Sequence, residues 1–366
     1  MRSKALVAMS GGVDSSVAAA LMLDEGHFCV GVTYRLHDEK PARADSLYGR
    51  DAEMPAGTCC SPGDINDAKA VAASLGIPHY VLDLTREFES EVIRRFVESY
   101  ENGETPNPCI DCNRYVKFNV AILSRALDDF DFIATGHYAR TKRDPVSGRF
   151  LLCKSFDEKK DQTYVLYCLG QDELSRARFP LGEFSKGQVR AIAEKKKFVN
   201  NAKAESQDIC FVPDGNYGDF IEAYTGKKWP AGDIVNPDGE TIGRHRGVIR
   251  YTIGQRRGLG VAANVPLYVA GKSAADNTVV LGSDESLYRK NLLARDINLI
   301  ACAALERPTC VAAKTRYLQK EQPAIVEQTG EDEFHVEFDS PQRAITPGQA
   351  VVLYDGDVVV GGGTIV

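Results

Sequence analysis

The sequence has no long apolar run, a single tryptophan and no surplus of positive charge. A membrane-spanning helix needs about 20 consecutive apolar residues, and no segment approaches that length. A net charge of −7 excludes a chain that holds nucleic acid through its overall field. Any RNA site must then be a local basic patch. Internal repeats and low-complexity tracts are also missing. The first residues run directly into a strand and a glycine-rich loop, which leaves no room for a secretory or transit peptide and predicts a cytoplasmic protein. The ten cysteines are too dilute in 366 residues for a disulfide framework, and point to metal or thiol chemistry. Cys29, Cys153, Cys168 and Cys302 sit singly in apolar segments and are expected to be buried; Cys310 is expected to be structural.

A chain of this length calls for two or three domains. Its first half alternates strands and helices. Ala5 to Ala8, Val30 to Tyr34, Pro78 to Leu82 and Phe132 to Thr135 read as strands, and Ser16 to Glu25, Asp64 to Leu75 and Gln188 to Lys197 as helices. Phe88, Val92 and Phe96, and then Phe118, Ile122 and Ala126, recur at helical spacing. Such βαβα alternation predicts an α/β fold with a doubly wound parallel sheet, whose ligands sit beyond the carboxyl ends of the strands. From His37 to Gly57 there is a long loop without periodicity. The pattern changes near Glu205. Residues 208 to 280 are glycine-rich with short apolar runs, and beyond Leu281 the runs alternate with period two, with Asp355-Gly356 marking a tight turn. The expected division is a nucleotide-binding catalytic domain over 1–204, a small β-rich domain over 205–280 and a C-terminal β-barrel over 281–366.

Two constellations carry chemistry. The first is Ala8-Met9-Ser10-Gly11-Gly12-Val13-Asp14-Ser15-Ser16, between a strand and a helix. Its glycines allow a tight turn and a close backbone approach. The helix N-terminus offers free N–H groups and partial positive charge, and the serines add hydroxyl donors: a cradle for pyrophosphate. The loop lacks the Gly-Lys-Ser/Thr ending of a Walker motif. The second is Thr105-Pro106-Asn107-Pro108-Cys109-Ile110-Asp111-Cys112-Asn113, in which two prolines stiffen a Cys-x-x-Cys pair ahead of a helix expected to begin near Lys117. Arg114 and Lys117 are placed to lower thiol pKa values. A third thiol, Cys210, stands in Ser206-Gln207-Asp208-Ile209-Cys210-Phe211-Val212, and Cys59-Cys60 is an adjacent pair. Zinc normally takes four ligands, and no further Cys or His pair completes the set. Three thiolates suit either sulfur relay or a [4Fe–4S] cluster with one open iron.

The loop Ser-Gly-Gly-x-Asp-Ser resembles that of the ATP pyrophosphatases. Together with Thr105 to Asn113, Ala134 to Tyr138, Lys159 to Tyr164, Ser206 to Val212, Gly247 to Gly260, Arg316-Tyr317 and Pro347-Gly348-Gln349, in that order along the chain, it is similar to the tRNA-specific 2-thiouridylase family. The resemblance covers essentially the whole sequence. It implies that Ala8, Met9, Ser10, Gly11, Gly12, Val13, Asp14 and Ser15, with Tyr34 and Gly136, hold ATP with its Mg2+. Asn107, Pro108 and Cys109 would lie beside the target base. Cys112 would be the nucleophile and Cys210 the persulfide carrier, while Lys160, Asp161, Gln162, Arg316 and Tyr317 would touch tRNA. Many family members have Asp where this chain has Cys109, which enlarges the thiol set to three. The implied reaction adenylates the C2 oxygen of the wobble uridine, expels pyrophosphate, and replaces the oxygen with sulfur and releases AMP. The sulfur comes from a Cys210 persulfide. Cys112 either releases it, leaving a Cys112–Cys210 disulfide, or assists the attack covalently. A cysteine desulfurase or relay protein would charge Cys210; in the cluster alternative Cys109, Cys112 and Cys210 would ligate iron.

The RNA side has a local signal. Thr225 to Gly260 carries Lys227, Lys228, Arg244, Arg246, Arg250, Arg256 and Arg257 against Asp233, Asp238 and Glu240, a surplus of four positive charges, and Trp229 and Tyr251 are candidates to stack on bases. Two other functions fit parts of the sequence. A small-molecule adenylating ligase would need no paired thiols. A non-catalytic RNA-binding protein would not need an intact Ser10, Asp14 and Ser15.

Overall fold

The computed structural model describes residues 2–37, 61–126, 130–204, 209–212 and 215–366. Residues 38–57 of the expected loop, the Cys59-Cys60 pair and Ser206 to Asp208 lie outside the described residues. In chain order the first seven strands are β1 (Lys4–Ala8), β2 (Phe28–Arg35), β3 (His79–Asp83), β4 (Phe132–Ala134), β5 (Arg140–Arg143), β6 (Phe150–Cys153) and β7 (Ala177–Arg178). Five of them form one sheet in the order β3-β2-β1-β4-β7, with every pairing parallel. The buried run through β2, Cys29 to Tyr34, is what a strand covered on both faces requires. On β1, Ala5 and Val7 enter one hydrophobic cluster with Val17 and Val189, and Leu6 enters another with Val32 and Phe96. Helices therefore cover both faces, as expected of a doubly wound sheet.

Strand order fixes where a ligand can sit. The chain goes from β1 outward to β2 and β3, then crosses back to place β4 on the other side of β1. The loops after β1 and β4 consequently part at their carboxyl ends and leave a crevice there. The glycine-rich loop follows β1, and Gly136 follows β4.

Four further strands, β8 (Gly232–Val235), β9 (Thr241–His245), β10 (Tyr268–Ser273) and β11 (Thr278–Gly282), form a second sheet in the order β10-β11-β8-β9. The last six are β12 (Tyr288–Leu299), β13 (Thr309–Lys314), β14 (Gln322–Gly330), β15 (Glu333–Arg343), β16 (Ala350–Asp355) and β17 (Val358–Ile365). They run β12-β15-β14-β13-β16-β17, and β12 pairs again with β17, which closes a six-stranded barrel. Inward Val326, Phe334, Val336, Phe338, Val351 and Leu353 fill it. The β5–β6 hairpin extends this sheet from outside, with Cys153 opposite Val358. Residues of the first region are thus built into the wall of the last.

Several local expectations shift. The helix α1 (Val13–Asp24) begins three residues before Ser16, because the Ser15 and Ser16 hydroxyls fold back onto the Gly12 carbonyl at 3.0 and 2.9 Å. The Cys-x-x-Cys pair does not precede its helix but starts it. Asn107 caps the turn Pro108–Asp111, its Oδ1 accepting from Cys109 N at 3.1 Å, with proline at the first helical position. Asn-Pro is the sequence signal for such a start. A π-helical segment, Cys112–Lys117, then continues it and packs on a second one, Glu89–Ile93. Cys29, Cys153 and Cys168 are buried as expected. Cys302 is only half-buried, and Cys310 is exposed on the barrel.

Candidate active site

The helix α1 begins at the crevice without a side-chain cap. Its neighbours differ. The helix α2 (Pro62–Leu75) is closed by a Ser61/Asp64 capping box, and Lys186–Lys195 by a Ser185/Gln188 box. Both have a side-chain acceptor for their first N–H groups, whereas Gly12 supplies none to α1. Gly11 makes the turn with φ +75°, and a Cβ there would overlap the Asp64 carbonyl. Ser10 N donates to Ser15 Oγ at 3.1 Å, which ties the turn across its mouth. Met9 and Val13 are buried beneath it, and Ala8 is half-buried. From the other side of the crevice Gly136 packs so closely that a Cβ would lie 2.7 Å from Ser15 N.

Residues far along the chain hold this loop. Lys186 Nζ reaches both Asp14 carboxylate oxygens at 2.8 and 2.9 Å, and the Tyr138 hydroxyl donates to Asp14 Oδ1 at 2.9 Å. Asn200 Nδ2 donates to the Gly11 carbonyl at 2.9 Å. Lys203 joins that carbonyl to Asp64 and Asp67. Of these four partners only Tyr138 stands in a segment that the sequence singles out, Ala134 to Tyr138. Lys186 follows a Ser-x-x-Gln cap, which marks a helix start but not its target. Tyr34 lies at the carboxyl end of β2, but its ring is buried, with the hydroxyl directed to the Lys117 carbonyl. It offers no face on which a base could stack. His137, next to Gly136, is pushed down to about 3 by burial and by Lys117, and is a neutral imidazole held by Thr135 Oγ1 at 2.8 Å.

The thiol helix faces the same region. Cys109 is exposed on its first turn and Cys112 is buried at the start of the π segment. Asn113 anchors that segment through Nδ2 to the Val165 carbonyl at 2.9 Å. Arg114 makes an ion pair with Asp296 of the barrel and lies over the Tyr115 ring. Asp111, between the cysteines, is raised to about 6 by burial. Cys210 is half-buried on the hydrophobic cluster that contains Cys112. Its neighbour Phe211 is wedged edge-on against Phe88 and Phe96. Among the described residues no three His, Cys, Asp or Glu side chains come together to hold a metal ion.

Thr105, Pro106 and Asn107 form a strap leading to this helix, and other regions clamp it. Thr105 N donates to the Pro347 carbonyl at 2.9 Å, and Gln349 Nε2 to the Thr105 carbonyl at 2.7 Å. Lys272 of β10 donates to the Glu104 and Tyr251 carbonyls at 3.2 and 2.9 Å. Burial pushes its ammonium down to about 8.

The residues assigned to tRNA by resemblance divide. Tyr317 is exposed and meets the Tyr164 ring at 6.1 Å, so the 160–164 segment and the Arg316-Tyr317 loop are neighbours. Asp161, however, is buried. It accepts from Ser155 N and the Thr163 hydroxyl and lies 3.9 Å from Lys314. Arg316 is turned inward to the Ile253 and Ala344 carbonyls and Thr346 Oγ1. Both are internal ties and not outward contacts. The basic run is thinner than its sequence count. Lys227 pairs with Glu101, Lys228 with Glu222, and Arg250 with Asp219 and Glu222, all acids outside the window. Arg246, Arg256 and Arg257 are exposed. Tyr251 is buried and Trp229 half-buried, so Tyr251 offers no stacking face.

Comparison with known proteins follows the three sheets. Residues 3–214 match the model of a tRNA methyl transferase HUP domain, 218–283 that of a tRNA methyl transferase PRC-barrel domain, and 289–365 that of an aminomethyltransferase beta-barrel domain. The chain is 47% identical over 365 residues to the tRNA-specific 2-thiouridylase MnmA of Acetivibrio thermocellus, covering 100% of this chain and 99% of that protein. It is 48% identical to the protein of that name from Carboxydothermus hydrogenoformans, covering 100% and 98%. Likeness of this extent, along a chain with an uncapped glycine-rich turn and a thiol-bearing helix, shows that the chain belongs to the tRNA-specific 2-thiouridylases, the sulfurtransferases of tRNA.

Proposed function

We propose that the protein thiolates C2 of the wobble uridine by adenylating the C2 oxygen and replacing it with persulfide sulfur. The observation that carries the first step is the uncapped N-terminus of α1 at the crevice, since both comparable helices are capped. ATP enters as its Mg2+ complex, over Ala8 to Ser15 and Gly136. The uridine oxygen attacks the α-phosphorus, and the bond to pyrophosphate breaks. The N–H groups of the turn stabilise the departing charge. Sulfur then adds to C2, and AMP leaves with the oxygen.

For the second step Cys210 carries the persulfide, supplied by a cysteine desulfurase or a relay protein. Its outer sulfur goes to C2. The Cys112 thiolate attacks the inner sulfur, breaks the S–S bond and forms a Cys112–Cys210 disulfide, which a thiol reductant returns to two thiols. The burial of Cys112 supports a thiol kept from solvent until it acts. Asn107, Pro108 and Cys109 border the base. Lys160, Gln162 and Tyr317 meet the tRNA directly, while Asp161 and Arg316 support them from within. The working division of labour is 1–204 for catalysis, 205–280 for tRNA and 281–366 for the barrel that braces both.

The test is Cys112→Ser and Cys210→Ser in the full chain, assayed for tRNA-dependent AMP release and for 2-thiouridine by mass analysis. Each variant is expected to bind ATP within about twofold of the parent and to make no 2-thiouridine. Thiolation by either variant from a persulfide donor overturns the relay.

A further inference from the structure

We propose that Tyr138 is a positioning residue that couples tRNA seating at Gln162 to the set of the Asp14 carboxylate in the pyrophosphate loop. Tyr138 is 2% exposed. Its hydroxyl donates to Asp14 Oδ1 at 2.9 Å, while its main chain makes both possible bonds with Gln162: Tyr138 N to Gln162 Oε1 and Gln162 N to the Tyr138 carbonyl, each 2.9 Å. One rigid ring therefore separates the segment that meets tRNA from the loop that meets ATP.

The chemistry of the contact distinguishes it from ordinary core packing. A buried tyrosine hydroxyl needs only one acceptor, and a main-chain carbonyl suffices, as Ala350 does for Tyr164 at 2.8 Å. Tyr138 instead donates to a carboxylate that Lys186 already neutralises through both oxygens. The added donor contributes direction rather than charge balance. It also keeps Asp14 in place when an arriving polyphosphate draws the Lys186 ammonium toward itself, because the hydroxyl has no charge to be drawn.

The far end of the connection is anchored. Gln162 lies between Asp161, which faces Lys314 of β13, and Thr163, whose Oγ1 is 3.2 Å from the Tyr354 hydroxyl of β16. A push on residues 160–162 from outside thus meets a fixed barrel wall on one side and the Tyr138 main chain on the other. Two bonds transmit it, and the ring carries it to Asp14. The inference rests on the reading that residues 160–162 meet tRNA and that the loop holds ATP.

Tyr138→Phe deletes the hydroxyl and leaves the ring. The measurement is the affinity of the full-length protein for the α,β-methylene analogue of ATP, with and without unmodified tRNA transcript, by equilibrium titration. tRNA is expected to tighten analogue binding at least about fivefold in the parent and less than about twofold in Tyr138→Phe, each ratio taken against the same protein's analogue affinity without tRNA. Gln162→Ala is expected to lose the same coupling, and the double variant to be no worse than either single one. Equal coupling in parent and Tyr138→Phe overturns the proposal. AMP release in the parent is read separately. If tRNA elicits none, the adenylation step is wrong, and the titration still decides whether Tyr138 couples the two sites.

Discussion

The pyrophosphate turn and the thiol strap lie in the same region but are held in opposite ways. The turn is braced from within its own α/β region, by Tyr138, Lys186, Asn200 and Lys203. The strap and its helix are braced from elsewhere: Pro347 and Gln349 beside the barrel, Lys272 in the middle sheet, and Asp296 on the barrel opposite Arg114. The direct supports of the turn therefore come from one region and those of the thiol strap from three. Changes to the Pro347–Gln349 turn should reach the strap before they reach the glycine-rich loop.

The largest expected effect breaks the self-contained half. Gly11→Ala sets a Cβ onto the Asp64 carbonyl at a φ of +75°. It should cost about 3 kcal/mol of stability and reduce AMP release about 100-fold or more. Chemical denaturation and an AMP assay check this; a stable variant with normal AMP release would show that the turn adopts another course.

A smaller and more selective effect is expected at Gly348, where φ is +85° and a Cβ would stand 2.9 Å from Thr105 N. Gly348→Ala should push the strap away and lower thiolation about 10- to 100-fold. Affinity for the ATP analogue should not change. Parallel losses of thiolation and analogue binding would erase the distinction between the halves.

The smallest effect concerns the seam between them, where His137 packs against Phe118 and Phe179. Its folded value of about 3 lies below the ordinary 6.5. Between those values the unfolded chain binds a proton that the folded chain does not. The stability it contributes therefore rises with pH through that window and is lost as pH falls from 6.5 toward 3, by about 1.4 kcal/mol per unit at most. His137→Gln should flatten that part of the stability profile relative to the parent. Identical slopes would place His137 in water.

The turn, the doubly wound sheet and the Cys-x-x-Cys were legible because each is a local pattern: a strand followed by glycines, apolar residues at fixed spacing, prolines flanking thiols. What escaped was the partner at a distance. Lys186 meets Asp14 across 172 residues, and Lys203 meets Asp64 across 139, so neither pairing leaves a mark in any window of sequence. Charge counting failed for the same reason. Lys227 is neutralised by Glu101, which ends the helix Arg94–Glu101 far earlier in the chain. The resemblance assigns Asp161 and Arg316 to tRNA, yet Asp161 is buried on Ser155 and Thr163 and half-buried Arg316 turns to the Ile253 and Ala344 carbonyls. The π segment at Cys112 replaced the later helix start because a π turn leaves no compositional signature, whereas the Asn-Pro cap that precedes it was readable.

The clamp on Thr105 also bears on the order of synthesis. Its supports at Pro347 and Gln349 are themselves held by Ile365, whose carbonyl accepts from Gly348 N and whose N–H donates to the Gln349 carbonyl, both bonds joining the turn to β17. A ribosome makes the strap some 240 residues before Gln349 exists to hold it. The strap therefore stays without these supports until the last residues of the chain have been made, and the loop leading to Cys109 and Cys112 takes its final course last.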